Sequence, residues 1–135
     1  EEAIKGNWWK NLPFVCVLTF TSGNVEQSEG EWFSMNMGEE EAGKLDDHIV
    51  GFENPEDAKR FRYIISQDSA YAGKFPRVQV VSPQDLWHAS RMLEVSVFVL
   101  HAGQFLPSPG DSLQDMSHVL HQCYYKERQL GIKFE

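Results

Sequence analysis

The residues with the greatest chemical potential lie near the C-terminal end of the chain. His118, His121 and Cys123 form an H-x-x-H-x-C run. Imidazole and thiolate are zinc ligands, and three of them meeting at one point would make a metal centre. Helical geometry works against this. At about 100° per residue, His118 and His121 are neighbours on a helix while Cys123 points away. Cys123 also continues an apolar stripe with Leu113, Met116, Val119, Leu120 and Tyr124. The run therefore reads as an amphipathic helix, and no metal ligand is assigned. His48, His88 and His101 are single residues without ligand spacing.

Acid–base catalysis needs two carboxylates in a dry pocket with separated pKa values. Glu39-Glu40-Glu41 and Asp46-Asp47 are charge runs expected on solvated loops. Cys16 sits mid-strand among apolar residues, where a thiol is buried and inert. No G-x-S-x-G elbow, glycine-rich phosphate loop or Asp-rich calcium loop occurs. No catalytic, cofactor-binding or metal residue is assigned, and no cofactor is expected. What remains is aromatic. Trp8, Trp9, Trp32 and Trp87 are candidate protein-binding residues, because large amphipathic rings anchor interfaces. Their alternative role is to cover the edges of a small core. Trp8 and Trp9 are the stronger interface candidates, since they lie outside any expected element.

The elements that must position these groups are legible in outline. Pro13–Thr21 reads as a strand apolar on both faces, with Phe14, Cys16, Leu18 and Phe20 on one side and Val15, Val17 and Thr19 on the other, the pattern of a central strand covered on both sides. Glu31–Met37 reads as a shorter, mixed strand, Gly38–Lys44 as an acidic loop, and His48–Phe52 as a short strand. Asn54-Pro55-Glu56-Asp57 is a helix start, with a capping Asn, Pro at the first helical position, and acids at the positive end of the dipole. Ala58, Phe61, Ile64 and Ile65 follow at helical period. Val78–Val81 is a strand, and Ser82-Pro83-Gln84-Asp85 starts a second helix carrying Leu86, Ala89 and Leu93. Ser96–His101 is the next strand. After the linker-like segment 103–111, Ser112 or Asp111 caps the last helix.

This order predicts an α/β (α+β) fold: a two-layer sandwich with a mixed sheet of about five strands, helices on one face, and a ferredoxin-like tendency. Three segments are expected: an N-terminal arm over 1–12, a core domain over 13–110, and a C-terminal amphipathic helix and tail over 111–135. The 135 residues suit one domain. Twelve Lys+Arg against 20 Asp+Glu give a net charge of −8, which argues against a nucleic-acid partner. The apolar runs are too short for a membrane span. Two widely separated cysteines suit a reducing compartment. The chain begins Glu1-Glu2-Ala3 without an initiator Met, as expected of a processed form.

Several blocks resemble a cyanobacterial and plastid family known as a domain of unknown function, number thirty-one-ten. They are the strand V-C-V-L-T-F at Val15–Phe20, the block G-F-E-N-P-E-D-A-K-R-F at Gly51–Phe61, and Ile64-Ile65-Ser66-Gln67-Asp68. The step V-x-V-V-S-P at Val78–Pro83 and the Pro-rich segment Pro107–Pro109 follow. The resemblance runs from Phe14 to about Gly110 and omits the Trp-bearing arm and the last helix. It implies a photosynthetic organism and a chloroplast stromal location after removal of a transit peptide, with peripheral contact to the thylakoid. That family supplies no catalytic residues. The expected function is a non-catalytic protein-binding module, an accessory or assembly factor (a chaperone) for subunits of a photosynthetic complex. Two other roles fit the same residues: a stable peripheral subunit of such a complex, and a regulator responding to a small molecule or to oxidation of Cys16 and Cys123.

Overall fold

The computed structural model describes residues 8–21, 31–36, 47–105, 107, 110 and 112–133. Strand β1 (Val15–Thr21) is the centre of a six-stranded sheet. Its alternation is expressed in full. Cys16, Leu18 and Phe20 enter one apolar cluster, while Val15 and Val17 enter a second cluster on the opposite face.

The remaining strands are β2 (Glu31–Trp32), β3 (Ser34–Asn36), β4 (Asp47–Phe52), β5 (Phe75–Val81) and β6 (Ser96–Leu100). β5 runs antiparallel along one edge of β1 over its whole length, from Val15 opposite Val81 to Thr21 opposite Phe75. On the other edge, β1 and β4 pair only at one end, Cys16 opposite Phe52 and Val17 opposite Gly51. Beyond that point they part, and β2 and β3 fill the fork. β2 pairs with Thr19 and Phe20 of β1, and β3 with Asp47–Ile49 of β4. Both pairings are antiparallel, so β2 and β3 run in opposite directions and the chain reverses at Phe33. That residue holds the apex: its N–H donates to the Leu18 carbonyl at 2.9 Å. Its ring packs edge-on to Phe20 and Phe61, with centroids at 5.9 and 5.4 Å. The single strand expected over Glu31–Met37 is thus two strands around a buried apex. β6 closes the far side, parallel to β4.

Helices α1 (Pro55–Ser66) and α2 (Pro83–Leu93) start where expected. The Asn54 side chain accepts from the Glu56 N–H at 2.9 Å, and Ser82 accepts from the Asp85 N–H at 3.0 Å. β4, β5 and β6 share one direction, so β4-α1-β5 and β5-α2-β6 are both crossovers. The first crosses β1 to the outer edge, and the second returns across the sheet. Connections of one hand travelling in opposite directions place their helices on opposite faces. The packing agrees. Phe61 and Ile65 of α1 join the Cys16 cluster, with Met116, Leu120 and Tyr124 of α3 (Leu113–Lys133). Leu86 of α2 joins the Val15 cluster, together with Trp9 from the short turn Trp8–Asn11.

The expectation of helices on one face is therefore corrected: the sheet is covered on both, because β1 presents apolar side chains to both. The sheet is mixed, with six strands and three helices. Among the described residues the ferredoxin-like order β-α-β-β-α-β does not occur, and its split β-α-β unit is present as β4-α1-β5 around β1. The C-terminal helix and the turn of the N-terminal arm both pack into the same body as residues 13–110.

Gly51 lets β1, β4 and β6 approach. A Cβ there would lie 2.8 Å from Val15 Cγ1 and 3.2 Å from Val99 Cγ2. Overpacking of this kind costs about 1–3 kcal/mol, so Gly51→Ala is expected to lower the urea midpoint with an unchanged m-value. A variant as stable as the parent would show that the three strands can separate freely.

Candidate functional site

The four tryptophans are distributed over the second face of the sheet. Trp9 is only 1% exposed and is part of the core with Val15, Val17 and Val99. It offers no docking surface as placed, which corrects its selection as an exposed anchor. Trp8 is half-buried and stacks on His101, with centroids 3.7 Å apart and planes at 11°. Trp32 is half-buried against the same cluster. Trp87, on α2, is 36% exposed, but Lys10 Nζ lies 3.9 Å and Arg91 Cζ 5.2 Å from its ring centroid. Its π surface already holds two cations. Among the described residues, the second sheet face has one helix, and the Trp8–Asn11 turn adds to its cover.

The groups considered for bond-making chemistry are dispersed. Cys16 is fully buried, and burial pushes its thiol up, with a smaller opposing effect from Lys59. Cys123 is half-buried, its thiol 3.9 Å from the Gln104 carbonyl. His118 is exposed and hydrogen-bonds Gln122 at 3.3 Å, while His121 lies beside Tyr125. Among the described residues no group of three or more His, Cys, Asp or Glu is placed to hold a metal ion. Nor is any helix of the described residues long and apolar enough to cross a membrane. Glu39–Glu41 and Asp46 lie outside the described residues.

A concavity lies along α1. Its walls are set by a cluster of ties at the end of β6. The Ala102 N–H donates to Glu53 Oε1 at 2.8 Å, and the Gly103 N–H to Asp57 Oδ2 at 3.2 Å. Asp57 is buried, and its other oxygen accepts from Arg60 at 2.7 Å. Phe105 then enters the core against Phe52 and Phe61. These contacts hold the path on which Pro107, Gly110 and the start of α3 pass the outer flank of α1. Between them lies a groove of about 790 Å³. Ile64 and Leu113, both packed partly on the core, belong to its lining. Tyr63 stands on its rim, 60% exposed. Lys59 and Arg60 provide cations along one stretch, and Asp68 an acid at the far end.

The groove was not found from the sequence. Tyr63 lies off the apolar stripe of α1, the one local hint, but only the placement of Pro107, Gly110, Ser112 and Leu113 turns that flank into a wall. An apolar strip bordered by charges of both signs suits a polypeptide segment. No protein-family model matches the chain, and no curated protein or solved structure matches it.

Helix α3 enters this groove through a reciprocal cap. Ser112 N–H and hydroxyl both donate to Asp115 Oδ2, at 2.9 and 3.0 Å, and the Asp115 N–H donates back to Ser112 Oγ at 3.2 Å. The backbone bond, then the hydroxyl, hold the Asp115 carboxyl below the usual carboxylate range. A depressed carboxylate stabilises the fold above its unfolded pKa, and that contribution is lost as pH falls through the folded value. Ser112→Ala should raise the Asp115 midpoint part-way and fray the first turn of α3, read by carboxyl NMR. An unmoved midpoint would refute the cap. Cys16 should resist iodoacetamide at pH 8 in the folded protein and react freely in urea, because the thiolate is the nucleophile and burial disfavours it. Rapid native labelling, located by peptide mass spectrometry, would contradict this.

Proposed function

We propose that this protein is a non-catalytic binding module that holds a segment of another polypeptide in the groove beside α1. The observation that carries the reading is Tyr63, a large side chain held exposed on the rim of a groove of about 790 Å³ whose lining includes Ile64 and Leu113. An aromatic ring on a rigid helix is the kind of anchor that dominates interfaces. Its backbone is fixed by the capped N-terminus of α1 and by the Asp57 ties. The ring therefore meets a partner with little ordering cost.

The biological setting follows the resemblance alone: an accessory or assembly factor for a photosynthetic complex, acting in the chloroplast stroma. In that role the groove would cover a subunit surface until the subunit's permanent neighbour displaced it. A photo-crosslinking amino acid at position 63, compared with one at the exposed Met92 on α2, tests the reading in plastid extract. The expected result is one partner peptide crosslinked from position 63 and not from 92. Tyr63→Glu should weaken that partner's affinity at least about tenfold with little change in melting temperature, because exposed substitutions rarely disturb folding. Equal, diffuse crosslinking from both positions would overturn it.

A further inference from the structure

The outer edge of β5 offers a second surface, separate from the α1 groove. β5 is seven residues long and, among the described residues, hydrogen-bonds to β1 alone. The direction of its free groups follows from the ladder. Leu18 accepts from the Phe33 N–H, so its backbone groups face the β2 side and Leu18 and Val78 are not a hydrogen-bonded pair. The amide and carbonyl of Val78 therefore point outward, and by the two-residue period so do those of Val80. Pro76 agrees, because proline is accommodated in a sheet with its nitrogen turned to solvent at an edge.

Edges of this length are ordinarily blunted by charge, bulges or cover. Here Pro76 removes one outward N–H, but two remain, beside apolar side chains in solvent. Phe75 is 54% exposed and Val80 is 59% exposed. The charge of the edge opposes that of the whole molecule. The chain carries −8, yet Lys74–Val81 contains two cations and no acid. Lys74 pairs with Glu31 at 3.1 Å, an exposed contact. Arg77 is exposed and has no ion-pair partner among the described residues.

We infer that β5 is a docking edge for an extended, acidic segment of a partner polypeptide, which adds to the sheet as a further strand. Backbone bonds to Val78 and Val80 give the attachment, a carboxylate opposite Arg77 gives selectivity, and Val80 is covered by an apolar residue of the incoming strand. A second copy of this chain pairing β5 to β5 antiparallel, with Val78 opposite Val80, would instead place Arg77 opposite Val81, with no charge compensation.

The probe is a soluble twelve-residue peptide alternating Glu and Val, with a Lys-for-Glu version as its control. Amide hydrogen exchange is read on the whole chain. The expected result is slowed exchange at Val78 and Val80 with the Glu peptide only. Arg77→Glu, which is exposed and should fold normally, is expected to weaken binding about tenfold, and raising salt should weaken it further. Val78→Pro, which deletes an outward N–H and no bond to β1, should abolish it. Tyr63→Glu should leave it unchanged, which separates this edge from the groove. Equal binding of the Lys peptide, or exchange unaltered at Val78 and Val80, would overturn the inference. So would protection that appears without peptide and grows with protein concentration.

Discussion

The structure depends on the burial of β1 on all sides. Its residues from Val15 to Phe20 are removed from water on both faces, and both of its edges are hydrogen-bonded. A strand of this kind has no solvated side, so every other element is placed by the need to cover it. The crossovers set α1 and α2 on opposite faces. α3 completes one layer and the Trp8–Asn11 turn completes the other. Thr19 is the polar exception in the strand, and its hydroxyl bonds Gln79 across the ladder at 3.2 Å.

The fork between β1 and β4 follows from the same constraint. The strands pair only near Gly51, whose missing side chain admits Val15 and Val99, and part beyond it. The gap would expose backbone groups of both strands, and β2 and β3 satisfy them. Phe33 at the apex then links the sheet to α1 through a run of aromatic contacts that includes Phe20, Phe61 and Tyr71. Open surface is left where this covering stops: along the outer flank of α1 and at the outer edge of β5. Both are rigid because their inner sides are core.

Legibility in the sequence varied with the range of the interaction involved. The starts of α1 and α2 were readable because a cap and its partner lie within three residues, and the hydrogen bonds of Asn54 and Ser82 form as the pattern requires. The extent of β5 was underestimated. Phe75 and Pro76 look like a turn in isolation, and become strand because Thr21 and Phe20 lie alongside. The reversal at Phe33 had no local mark at all, since it comes from two partners that diverge. Trp9 was misjudged for a related reason. A residue outside any element looks free to meet a partner, and nothing near Trp9 in the chain announces the uncovered sheet face it fills.

Residue order by itself therefore determined the helix starts, the double-sided apolar character of β1 and the sign of the overall charge. Each of these is a property of neighbours a few positions apart. Which face each helix covers, where β1 and β4 part, that Trp9 is core, and that Tyr63 and Arg77 stand at open surfaces were decided only in three dimensions. These depend on chain segments dozens of residues apart competing to cover the same apolar area, and the chain's local chemistry does not record which of them succeeds.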